Sequence, residues 1–350
     1  MRVKFWLNLL LSLLVGAVCV WAAWPKADQY AKIRDAFVTL QWKWLGVYVA
    51  TLAGVHVFRA WRWDFLLRPV GARVPLGRLL TVSSVGFMAI LALPVRLGEF
   101  VRPYLVAERG KLRMSVALGT VAVERIIDGL VISLLVFFAF LALRGPHAQA
   151  WMMPTAYASL AVFLAAGAFL VLGFIWPERA PQLFVRLLLL DRIAPRVAMR
   201  VEHILHGVCR GFRVLADGRN LSVFLAGTCA YWFLNGFGMW LLAKGFDLPL
   251  TLVAAFATMG LTGVGIMLPN TPGLVGQFDA FSKLGLLLYL PAAVVDGRGM
   301  AYILVLHGVQ LVWYLGVGCL CLLSSHVAFG KVVRASQAAA DRAEPEEAAA

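Results

Sequence analysis

Glu124, Arg125 and Asp128 interrupt an otherwise apolar run. A charged side chain within a hydrocarbon layer costs on the order of a few kcal/mol unless it is paired or watered, so a chain that keeps three of them so close together has a use for them. Glu124 and Asp128 are four residues apart and share one helix face, while Arg125 points about 100° away. Upstream, Leu93-Pro94-Val95-Arg96-Leu97-Gly98-Glu99-Phe100-Val101-Arg102-Pro103 holds two arginines and a glycine. Arginine suits phosphate because its planar fork makes two charge-assisted hydrogen bonds, and Gly98 beside Arg96 lets backbone N–H groups approach an anion. Arg96 and Arg102 are therefore candidates for gripping a phosphate. Glu99 cannot bind an anion unless protonated or paired, which makes it a candidate for a coupling proton or cation. Downstream, Asn270-Thr271-Pro272-Gly273-Leu274-Val275-Gly276 offers amide, hydroxyl and backbone groups, with Asp279 just beyond. Two readings stand side by side: the acids pair with Arg96, Arg102 or Arg125 and pin a hairpin to a helix, or part of the network faces a wet cavity.

The elements that must hold these groups are membrane helices. The chain has 350 residues, 61% of them hydrophobic and 14% charged, and a mean hydropathy of +0.82, far more apolar than a soluble domain. A helix needs about 20 apolar residues to cross the hydrocarbon core. Full spans are expected at Phe5 to Trp24, Trp44 to Trp61, Ser115 to Leu143, Trp151 to Trp176, Leu221 to Ala243 and Ala301 to Leu323. Two further apolar segments are broken: Leu79 to Phe100 by Pro94 and Gly98, and Thr251 to Leu290 by Pro269-Asn270-Thr271-Pro272-Gly273. The N-terminal apolar run is longer than a signal-peptide core and reads as a retained first helix.

Basic residues set the sides. Five arginines against Asp64 lie between Arg59 and Arg78, five basic residues against Glu99 and Glu108 between Arg96 and Arg113, and eight arginines between Pro177 and Asn220. Those links are expected in the cytoplasm, together with both termini. The first broken segment then enters and leaves from inside, and the second from outside. The fold expected is an all-α polytopic membrane protein: six full spans plus two re-entrant helical hairpins, in halves of about residues 1–150 and 151–330 related as an inverted-topology repeat, followed by a disordered tail over 331–350. Broken helices at matching places of two inverted halves point to a transporter site near the midplane.

Other features carry less chemistry. The net charge of +14 sits in short links where it meets anionic lipid headgroups, and no basic-aromatic face accompanies it, which argues against nucleic acid. Val197 to Leu215 alternates apolar residues with Arg200, Arg210 and Arg213 as a helix lying on the inner leaflet would. His203 and His206 lack a third ligand, so no metal is expected. His56 and His307 lie within spans, where a histidine can join a proton path but is more often a hydrogen-bonded packing residue; Trp24, Trp42, Trp44, Trp61, Trp63, Trp151 and Trp176 read as an interfacial belt. Five cysteines form neither a disulfide framework nor a zinc spacing. With no Ser-His-Asp grouping, P-loop or nucleotide turn, neither an enzyme nor a cofactor is expected.

Leu93 to Glu99 with Arg102, Val123-Glu124-Arg125-Ile126-Ile127-Asp128-Gly129, and Leu268-Pro269-Asn270-Thr271-Pro272-Gly273 resemble the three signatures of the flippase-like family, which shares its membrane region with lysylphosphatidylglycerol synthase. The resemblance implies a bacterial or archaeal inner-membrane protein. The family's last signature usually runs Pro-Gly-Gly-Leu-Gly and ends in Glu; here Leu274 replaces the second glycine and Asp279 stands for the Glu. The synthase's soluble aminoacyl-transfer domain is not expected here, so the resemblance does not imply aminoacylation. The expected function is translocation of a phospholipid or lipid-linked phosphate with an anionic headgroup. The alternative is a non-catalytic membrane partner that regulates a lipid- or glycan-modifying enzyme. In the first, Arg96 and Arg102 grip the phosphate, Arg125 with Glu124 and Asp128 forms the midplane network, and Asp279 completes the outer hairpin.

Overall fold

A computed structural model of the chain describes residues 14, 17–21, 29–93, 98–110, 112–142, 152–267 and 271–323. Most of the expected first span, together with Arg96, Pro269, Asn270 and the tail from residue 331, lies outside the described residues. From Tyr30 onward the described chain folds into helices α1 (Tyr30–Val38), α2 (Trp42–Leu67), α3 (Leu76–Ala92), α4 (Val101–Gly110), α5 (Met114–Ala142), α6 (Met152–Ile175), α7 (Arg179–Leu187), α8 (Leu190–Ile193), α9 (Pro195–Gly211), α10 (Gly218–Gly245), α11 (Leu252–Met267), α12 (Gln277–Leu287), α13 (Ala292–Val294) and α14 (Met300–Leu322). Among the described residues no strand occurs.

Among the described residues three helical stretches are long and apolar enough to cross a membrane: Met153–Ile175, Gly218–Gly245 and Ala292–Leu322. They overlap the last three expected spans. Helices α2 and α5, at 26 and 29 residues, have the length for a crossing at about 1.5 Å per residue. Both carry charge inside, and α2 departs from expectation. It does not end at Trp61 but continues to Leu67, so Arg59 and Arg62 belong to a helix rather than to a basic link.

Proline sets both helix breaks. Leu93 follows α3 in extended backbone (φ −95°, ψ 135°), as the residue before a proline prefers, because the ring clashes with a helical predecessor. Thr271, before Pro272, is extended as well (φ −74°, ψ 154°). Each broken segment thus yields a pair of helices, α3 with α4 and α11 with α12. The packing is reciprocal: α2 lies along α10, α3 packs on α14, and α11 packs on α5.

The amphipathic segment expected near the inner leaflet is α9, and it does more than lie on a surface. Its Gly207 and Gly211 sit against Ser115 and Gly119 at the start of α5, so close that a methyl group on either would strike the neighbouring helix. Burial beside Glu178 pushes the Cys209 thiol up to about 11. Helix α10 opens on Asp217, whose carboxylate accepts from the Asn220 backbone N–H at 3.0 Å and its Nδ2 at 2.6 Å. These bonds hold the Asp217 carboxyl below its ordinary range, as hydrogen bonds to the charged form do.

Candidate functional site

Arg62 on α2 is fully buried and has three side-chain partners. Its Nη1 and Nη2 donate to the two carboxylate oxygens of Asp128 at 2.7 Å each, the two-pronged geometry that makes arginine–carboxylate pairs strong. Nη2 also reaches Glu124 Oε1 at 3.1 Å, and Nη1 donates to Thr228 Oγ1 at 2.8 Å. Trp232 Nε1 donates to Asp128 Oδ1 at 3.1 Å. The rings of Tyr231 and Phe224 lie 4.7 and 5.4 Å from the Arg62 guanidinium. Such crowding is what removing an ion pair from water demands: unless nearly every lone pair and proton finds a partner, desolvation outweighs attraction.

Glu124 is a hub for three guanidinium groups. Besides Arg62, it accepts from Arg102 Nη1 at 3.2 Å and from Arg125 Nη2 at 3.1 Å. The 100° offset of Arg125 does not keep it out of the network, because its long stem curls back. The pairing of Glu124 with Arg102 and Arg125 follows the first of the two sequence readings, and Arg62 is the partner that reading lacked.

Arg102 does not sit where a phosphate-gripping residue is expected. It is fully buried, with its guanidinium 4.3 Å from the Trp63 ring and 4.8 Å from Phe87. Its Nε and Nη2 meet no acceptor among the described residues, and the two aromatic faces take that place. Trp63, expected in an interfacial belt, is a core residue whose Nε1 donates to Thr120 at 3.1 Å. Gly98 serves packing rather than anion approach: a side chain there would overlap the backbone of Ala89 and Ile90 on α3.

On its other side the network opens on a cavity of about 570 Å³, within the range of ligand pockets. Arg59, Glu99, Arg125 and Asp128 line one part, and His307, Gln310 and Phe278 another, with apolar side chains between them. Exposure grades outward: Arg62 and Glu124 are at 0%, Asp128 at 5%, Glu99 at 19% and Arg125 at 30%. Arg125 Nε stands 3.9 Å from Glu99 Oε2, so the carboxylate expected to carry a coupling proton faces a guanidinium. Arg59 stacks on Phe87 at 3.9 Å and has no carboxylate partner among the described residues. Four guanidinium groups, of Arg59, Arg62, Arg102 and Arg125, meet three carboxylates, of Glu99, Glu124 and Asp128, across the whole network; at the cavity wall itself Arg59 and Arg125 stand with Glu99 and Asp128, and Arg59 is the one left without a carboxylate. Phe100 and Met267, lining residues that stand beside the two helix breaks, are 37% and 36% exposed.

The second break closes on the same cavity. Gly273 (φ 71°) and Gly276 (φ 85°) occupy left-handed backbone, and Leu274 between them does too (φ 58°). Thr271 Oγ1 donates to the Val275 carbonyl at 2.9 Å. Asp279 accepts from the Gly276 N–H at 3.2 Å and contacts His307 Nδ1 at 2.9 Å. Pro272 starts the turn. Asp279 is thus joined to α14 and does not meet the Glu124 network directly. No group of three or more metal-binding side chains occurs among the described residues.

Sequence reasoning finds Glu124, Arg125 and Asp128 and misses Arg59, Arg62, Thr228 and Trp232. The signal available was spacing: Arg59 and Arg62 are three apart, as residues on one helix face are, and Thr228 and Trp232 are four apart on α10.

Helices pack here around an ion network that is dry on one side and open to a cavity on the other, which defines a polytopic membrane protein with an internal polar site. Residues 9–318 match the model of the lysylphosphatidylglycerol synthase transmembrane region, and the chain belongs to that family, tying it to lipid modification. No curated protein and no solved structure matches the chain.

Proposed function

We propose that the protein moves a phospholipid or lipid-linked phosphate across the cytoplasmic membrane, holding its anionic headgroup in the central cavity. The carrying observation is a pair of guanidinium groups at the cavity wall: Arg59, without a carboxylate partner among the described residues, and the part-exposed Arg125 offer planar donors to a phosphate. Arg59 and Arg125 take over the gripping role that the sequence assigns to Arg102; Arg96 keeps its candidacy from sequence alone. The apolar lining suits the lipid end of such a cargo, and the surface-reaching Phe100 and Met267 mark where tails would lie. The reciprocal packing of the two broken helices, each on a long helix of the other half, supports an inverted repeat of the kind transporters use for alternating access. The role is that of a carrier rather than an enzyme, with both termini in the cytoplasm.

The test is headgroup movement of a fluorescent phosphatidylglycerol in reconstituted vesicles. Arg59→Ala combined with Arg125→Ala is expected to slow it at least about tenfold, the effect of losing roughly 1.4 kcal/mol of recognition, while the thermal transition in detergent stays close to the parent's. Unchanged movement in that variant contradicts the reading.

The self-neutralised Arg62–Asp128–Glu124–Arg102 network favours a second reading, a membrane partner of a lipid- or glycan-modifying enzyme in which these ions only brace the helices. Under it, an enzyme co-purifies with the double variant as well as with the parent, and neither moves lipid.

A further inference from the structure

His307 on α14 sits between two acceptors. Its Nε2 is 2.9 Å from the carbonyl oxygen of Gly273, and its Nδ1 is 2.9 Å from Asp279 Oδ1. A carbonyl oxygen has no proton to give, so Nε2 carries one. Nδ1 then faces a carboxylate, and a bare imidazole nitrogen and a carboxylate oxygen cannot bond each other. The contact requires a second proton between them, on Nδ1 as imidazolium or on Oδ1 as carboxylic acid. With both contacts made as hydrogen bonds, the pair would carry one proton more than a neutral histidine and an ionised aspartate do. The other oxygen, Oδ2, is occupied by the Gly276 N–H at 3.2 Å, and Phe278 stacks on the imidazole at 4.5 Å. His307 lines the cavity, which gives the proton a path in and out.

Resting on the reading of the cavity as an anionic-headgroup site, we propose that Asp279 and His307 bind the coupling proton of the transport cycle, taken up together with the anion. Protonated, the pair is neutral and ties the second helix break to α14 through the Gly273 carbonyl. Deprotonated, it loses the Nδ1 bond and leaves a net negative charge in the cavity that a phosphate at Arg59 and Arg125 would share. Anion and proton thus favour each other's binding, and by linkage the coupling is reciprocal. The other ionisable groups around the cavity are Arg59 on α2, Glu99, Arg125 and Asp128, Tyr231 on α10 and Tyr314 on α14. Lys283 on α12 pairs with Asp296 at 3.6 Å. Lys32, Arg34 and Asp35 on α1 and Arg78 on α3 belong to helices packed on α14 but do not line the cavity; α11 carries no ionisable side chain.

Asp279→Asn separates the proton from the fold. The asparagine Nδ2 donates to a neutral Nδ1 while Nε2–H still reaches Gly273, so both ties survive without the extra proton. The probe is glycerophosphoglycerol, a soluble phosphodiester whose charge is constant between pH 5.5 and 8.5. Its affinity for the detergent-purified parent is expected to fall with rising pH, by up to about tenfold per unit if one proton accompanies each anion. In Asp279→Asn the affinity is expected to be flat across that range. The His307 ring nitrogens in a ¹⁵N spectrum should change with pH in the parent only. Binding that is independent of pH in the parent, or equally dependent in the variant, overturns the proton proposal and leaves the cavity reading standing. Absence of binding in both proteins at every pH overturns the two together.

Discussion

Arg62 and Arg125 share a carboxylate partner yet stand for different roles. Arg62 is sealed, so removing it leaves Asp128 and Glu124 short of a counter-charge in a dry setting. Loss of one partner of a buried pair costs about 3–5 kcal/mol. Arg62→Ala is accordingly expected to lower the thermal transition in detergent sharply, whereas Arg125→Ala, at a side chain 30% exposed to the cavity, is expected to move it little. Equal shifts in the two variants would show that the gradient from dry to open is not real. The acids of α5 were legible from sequence because a charge within an apolar run is conspicuous. Arg62 was not, because it stands just past the end of an apolar stretch among other arginines, where charge normally reports topology. Only the partners reaching it from α5 and α10 reveal that it points inward.

The two helix breaks show what an element's sequence can and cannot declare. Pro94 and Pro272 announced them, and the extended residues before the prolines follow from ring sterics alone. The closure of the second break was not legible, since it depends on a histidine far along the chain in α14. Its cost is visible at Leu274, a left-handed residue whose side chain packs into the core. Truncation there gives a distinctive prediction. Leu274→Ala forfeits burial and keeps the backbone strain, while Leu274→Gly forfeits slightly more burial and relieves a strain of about 1–2 kcal/mol. Chemical or thermal unfolding should therefore find the glycine variant the more stable by roughly 1 kcal/mol. The reverse order would mean that the left-handed turn is not adopted.

At the scale of the whole molecule, the arrangement asks for a cavity reached by each broken segment from its own side. Phe100, before α4, lines the cavity and is 37% exposed, and Val275, at the second break, is 47% exposed. In a background with the native cysteines replaced, Phe100→Cys is expected to react with a membrane-impermeant thiol reagent from the cytoplasmic side and Val275→Cys from the outside. Labelling of both from one side would refute the opposed entry of the hairpins. All-helical class and two broken helices could be foreseen from apolar run lengths and prolines. The cavity could not, since its wall draws on α2, α3, α5, α6, α10, α11, α12 and α14 together and no local pattern encodes that meeting. The claim on which the rest depends is that a lipid phosphate enters this space. A photoreactive amino acid at Ala122, which lines the cavity, tests it against one at Val312, 75% exposed on the outer face of α14. Radiolabelled phosphatidylglycerol is predicted to crosslink at both, with glycerophosphoglycerol competing only at Ala122. Crosslinking at Val312 alone, or crosslinking at Ala122 that the soluble headgroup leaves untouched, would contradict the account.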